Sequence, residues 1–121
     1  MKLLPLALGA ALAIAAPRLA LAACERPTPP APVDGATATK DQLLAAKGLV
    51  SDFITASDTY QSCILADVDA QQAAAKKAKT KLDPAVKKAA DAAINANQAD
   101  KEQVGQAFNA SVKAFKAAHP S

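Results

Sequence analysis

Cys24 and Cys63 are the two residues of this 121-residue chain best placed to form a covalent bond. They do not form a C-x-x-C pair, so a structural disulfide is expected rather than thiol exchange. Other reactive side chains lack partners of the right type and spacing. His119 is the only histidine, and Asp67-x-Asp69 lacks the glycine and terminal glutamate of a calcium loop. No metal site is expected. Ser51, Ser57, Ser62 and Ser111 have no histidine at a helical partner position, and no G-x-S-x-G turn occurs. No C-x-x-C-H is present for haem attachment. A Tyr60 ring one helical turn from Cys63 reads as core. An enzyme would need a polar cleft joining Tyr60 to carboxylates such as Asp52 or Asp58, and nothing in the pattern builds one. The expectation is therefore no catalytic residue and no cofactor.

The first residues read as an address. Met1-Lys2 is a short basic start, and Leu3 to Ala16 is an apolar run of 14 residues. That is short of the roughly 20 residues that span a bilayer. Pro17-Arg18 ends the run, and Ala20-Leu21-Ala22 is a small-x-small cleavage signal. Residues 1–22 are thus expected to be a signal peptide, cut after Ala22, with delivery to the periplasm. The competing reading takes Leu21-Ala22-Ala23-Cys24 as a lipobox, with Cys24 acylated and the protein anchored to the envelope. Pro17 and Arg18 interrupt the apolar run before that box and favour ordinary export.

Export changes the charge argument. Loss of Lys2 and Arg18 leaves twelve basic against eleven acidic residues, a net of +1. The mature chain has no electrostatic case for binding nucleic acid. An oxidising compartment favours a bond between two cysteines. With a helix starting at Lys40, residue 63 lies about 35 Å along it. The intervening Pro27, Pro29, Pro30 and Pro32 favour polyproline II at about 3.1 Å per residue, so Cys24 can reach back along the helix to Cys63.

The elements that position these residues read as helices. Residues 23–39 form a Pro-rich extended strap. Thr39-Lys40-Asp41-Gln42 is a capping box. Leu43, Ala46, Val50, Phe53, Ser57, Tyr60 and Ile64 then recur in steps of three and four, as one buried helical face does. Asp83-Pro84 stops one helix and caps the next. Val86, Ala90, Ala93, Asn97, Val104, Phe108, Ser111 and Phe115 continue the spacing. The fold expected is all-α: a long antiparallel two-helix hairpin, about 40–81 and 84–118, within a helical domain 40–119. The alternative is three helices, with a break near 97–100 and a restart at Asp100-Lys101-Glu102-Gln103. A two- or three-residue turn would set Val50 by Phe115, Phe53 by Val112, Ser57 by Phe108, and Tyr60 by Val104 and Gly105. Gly105 would then leave room for the Tyr60 ring. The rings, the disulfide and the strap would gather near the termini, leaving a thin, less stable turn end.

Charge is distributed unevenly along this hairpin. Lys76, Lys77, Lys79, Lys81, Lys87 and Lys88 surround a single acid, Asp83, whereas residues 34–69 hold six aspartates against two lysines. Lysines near a helix C-terminus complement the macrodipole and keep an Ala-rich helix soluble, which is reason enough for several of them. They also form a candidate contact for an anionic envelope surface or an acidic partner.

The opening C-x-x-P-x-x-P at Cys24, Pro27 and Pro30, followed by Asp34-Gly35 and then Tyr60-Gln61-Ser62-Cys63, resembles a group of small exported bacterial proteins. These have a Cys-Pro opening followed by an amphipathic helix bearing Y-x-x-C. No activity comes with the resemblance. Both cysteines belong to the pattern, which implies that Cys24 pairs with Cys63 instead of carrying lipid. The functional expectation is a non-enzymatic exported protein with an interaction or envelope-structural role. Its partner would be another protein or a second copy, two hairpins pairing as a four-helix bundle.

Overall fold

A computed structural model of the protein describes residues 23–121. The signal-peptide expectation for residues 1–22 lies outside the described residues. The chain forms two helices, α1 (Lys40–Lys77) and α2 (Pro84–Ala118), packed against each other along their lengths, with no strand among the described residues. At 1.5 Å per residue α1 is a rod of about 57 Å.

Local chemistry sets both helix starts. Thr39 Oγ1 accepts the Gln42 amide at 3.2 Å, and Gln42 Oε1 accepts the Thr39 amide at 2.9 Å, completing the capping box. Asp83 Oδ1 accepts the Ala85 amide at 2.9 Å, and Pro84 takes the first helical position, where its missing N–H costs nothing. The expected stripes are the ones covered. Ala46, Phe53, Ser57, Tyr60 and Ile64 are buried on α1, and Ala90, Asn97, Val104 and Ser111 on α2. Helix α2 runs without interruption through residues 97–100. Asn97 is fully buried there and spends its amide across the seam, so the three-helix alternative is not adopted.

Helix α1 ends at Lys77, four residues before the expected stop at 81, and the connection is six residues long. The stop is a Schellman turn. The Thr80 amide donates to Ala75 O at 2.9 Å, and the Lys79 amide to Lys76 O at 3.0 Å. Lys79 takes the left-handed position with φ 56°, the only non-glycine residue with positive φ among those described. No glycine marks the stop, so the sequence does not advertise it.

This turn also resets the pairing of the helices. Ser57 meets Asn97 instead of Phe108, and Asp58 meets Lys101. Ile64 packs with Ala90, and Tyr60 lies in the same cluster rather than against Gly105. A side chain added at Gly105 would have nothing within 4 Å, so that glycine makes no room for a ring. By the Ser57–Asn97 spacing, Pro84 begins beside residue 70, about two turns back from the end of α1. The longer connection permits this offset by folding back along α1.

Candidate functional site

Disulfide and strap form the first candidate site. Cys24 and Cys63 are bonded, with Cα atoms 5.7 Å apart and 39 residues between them in sequence. The bond is compatible with an oxidising, exported location. Cys24, Tyr60, Ile64 and Ala90 form a buried cluster, flanked by Cys63, Val68, Ala93 and Ile94. The sulfur bridge therefore lies near the middle of α1, and not with the chain termini. At the C-terminal end Phe115 is half-buried and stacks on the exposed His119 ring, with centroids 4.3 Å apart.

From Cys24 the strap runs back over both helices. Its contact edge repeats every third residue: Cys24 is buried, and Pro27, Pro30 and Val33 are half-buried, while the residues between them are exposed. That is the period of polyproline II. The C-x-x-P-x-x-P spacing thus places the cysteine and two prolines on one edge, against the hairpin. Pro30 and Val33 line one small cavity together with Ala46, Val50, Val104 and Phe108 of the two helices. Two polar ties fix the path. Arg26 reaches Asp100 on α2 with Nη2···Oδ2 at 2.6 Å and Nε···Oδ2 at 3.2 Å. The hydrogen bond to Asp100 and its charge raise Arg26 above its already high pKa, so this cation persists at every working pH. Further along, the Ser111 hydroxyl lies between Val33 O and Ala107 O, and the Gly35 backbone passes directly over Ser111.

The seam holds its own polar ladder. Asn97 Nδ2 donates to Ser57 Oγ at 3.1 Å, and Gln61 Nε2 donates to Asn97 Oδ1 at 2.8 Å. Ser57 and Asn97 are fully buried, yet no buried polar side-chain atom among the described residues lacks a partner. Sequence spacing placed Ser57 and Ser111 as small seam residues. It did not show that one bonds Asn97 and the other pins the strap. An open cleft beside the disulfide is lined by Arg26, Thr28, Thr59, Tyr60 and Cys63. Asp52 lines a separate depression, with Pro27, Leu49 and Phe53. Asp58 is committed to Lys101 at 2.6 Å. No group of three metal-ligating side chains occurs among the described residues.

The lysines form the second candidate site, and the hairpin sorts them into two sets. Lys76 and Lys77 lie in the last turn of α1, and Lys79 and Lys81 in the connection, so four lysines share the tip. Between residues 70 and 82 there is no acid. The offset of α2 puts Lys87 and Lys88 on the flank, about three turns back from the tip. Lys87 is paired there with Asp91 at 2.9 Å. All six side chains are exposed, and the four at the tip make no ion pair among the described residues.

No protein family, curated protein or solved structure matches this chain. No helix among the described residues is long and apolar enough to cross a membrane.

Proposed function

We propose that the protein is a non-enzymatic exported helical hairpin, acting by interaction or as a structural part of the cell envelope in the periplasm. The observation that carries this reading is how its polar chemistry is used. Ser57, Gln61, Asn97 and Ser111 hold helix to helix and strap to hairpin, and Arg26 and Lys101 hold Asp100 and Asp58. These groups are spent on making a stiff rod whose surface is left to meet a partner. That partner is another protein or a second copy of the chain.

The acylated alternative requires a thioether at Cys24 Sγ, the atom bonded to Cys63. The disulfide therefore supports the unanchored form. Intact mass of the purified protein separates the two. The expected mass is that of residues 23–121 less two protons, and added acyl mass would overturn the reading. Crosslinking in the native envelope then names the partner.

A further inference from the structure

The strained residue of the fold lies within its most basic surface. A Schellman turn ordinarily takes glycine at the left-handed position, because a side chain there crowds the following carbonyl. This chain has Lys79 in that position, at φ 56°. Dipole complementarity explains Lys76 and Lys77, which belong to the last turn of α1. It does not explain a strained lysine beyond the helix end, or Lys81 after it. Strain retained where glycine would relieve it points to a use for the side chain.

From this we infer that the turn end of the hairpin docks on bilayers bearing anionic headgroups, and that Lys79 is kept for its charge. The inference goes beyond the interaction reading above, adding a lipid surface to the protein partner named there. Lys76, Lys77, Lys79 and Lys81 are exposed together, with Asp83, which caps α2, the nearest acid in sequence. Phe53, Tyr60, Phe108 and Phe115 all lie on the body of the rod. The tip has no aromatic wedge, so contact is electrostatic and superficial, and the rod stands off the surface by its end. A purely coulombic contact of this kind is screened once the Debye length shrinks below the headgroup distance.

The test is co-sedimentation of the disulfide-bonded protein with vesicles. One set is phosphatidylcholine alone, and the other contains about a third phosphatidylglycerol. Binding is expected only to the anionic vesicles at ~50 mM salt, and it should be lost near ~500 mM. Lys79→Gly should fold with an unfolding midpoint no lower than the parent, yet bind about fivefold more weakly, as one lysine near an anionic surface predicts. Lys76→Gln, Lys77→Gln and Lys81→Gln together should weaken binding about a hundredfold. Lys113→Gln with Lys116→Gln, near the far end of α2, should leave it unchanged. Equal loss from the far-end pair would reduce the effect to net charge and overturn the assignment. So would undiminished binding by Lys79→Gly, or no preference for the anionic vesicles. Failure of docking with the two-proton mass deficit intact would leave the interaction reading standing. An acyl-bearing mass would overturn that reading independently.

Discussion

Gly35 and Gly105 show how the same residue type serves two different ends. A Cβ at Gly35 would lie 1.8 Å from the Ser111 carbonyl oxygen, against backbone that cannot swing aside. The strap crosses α2 there because nothing projects from it. Gly105 sits in a helix interior with open space where its Cβ would be, so it costs helix stability without a packing return. The two alanine substitutions should therefore act in opposite directions. Gly105→Ala is expected to stabilise by about 1 kcal/mol, from propensity alone. Gly35→Ala should destabilise by roughly 1–3 kcal/mol, because the strap must lift or Ser111 must move. Urea unfolding of the two variants checks this, and a destabilised Gly105→Ala would restore the idea that the site must stay empty.

At the level of the helices, the seam is apolar at its edges and polar at its centre. Asn97 bonds Ser57 and receives Gln61, and all three sit where α1 and α2 are in register. Removing Asn97 takes the cross-helix partner from the buried Ser57 hydroxyl and one acceptor from the half-buried Gln61, and a buried group left unpaired costs about 1–3 kcal/mol. Asn97→Ala should therefore lower stability by about that amount. Asn97→Leu combined with Ser57→Ala should recover part of it, since both partners of that bond are then apolar. A ladder that fixes register also predicts slippage in the double variant, because small Ala faces do not choose between neighbouring alignments. Disulfide crosslinking between cysteines introduced at 58 and 101 would report it. The two stripes were legible in the sequence because helical periodicity is local: each position from Leu43 to Ile64 and from Val86 to Phe115 reads from its neighbours. Register was not legible, since it depends on connection length. That length turned on Lys79 entering a conformation that no glycine announced. The strap's reach follows from its prolines alone, whereas the three-residue period of C-x-x-P-x-x-P becomes a contact edge only once there is a hairpin for it to lie against. At the candidate site the lysines could be counted, but the offset of α2 that divides them into tip and flank came only from that same turn.

For the molecule as a whole, stability should be concentrated around the sulfur bridge and fall towards the tip. The buried cluster of Cys24, Tyr60, Ile64 and Ala90 lies mid-rod, and residues 71–77 of α1 extend about two turns beyond the start of α2. Those turns hold only alanine, glutamine and lysine, with little apolar area to bury against a partner helix. Amide exchange should be slowest around residues 57–64 and 90–97 and fastest over 71–83. Breaking the bridge tests the architecture from the other side. The disulfide closes a loop of about 40 residues, which on chain entropy stabilises the fold by roughly 4 kcal/mol. That loop comprises the strap and α1 as far as Cys63, and the strap's other ties are the exposed Arg26–Asp100 pair and the Ser111 contact. The seam ladder and both helix caps are independent of the bridge. Cys24→Ser with Cys63→Ser should therefore lower the unfolding free energy by up to about 4 kcal/mol and accelerate exchange at Thr37 and Ala38, whose amides bond Asp34 O at 3.3 and 2.9 Å. The helical circular dichroism of the folded state should stay near its original value below the new midpoint. Loss of helix at once on reduction would mean that the strap forms the hairpin instead of bracing one already formed.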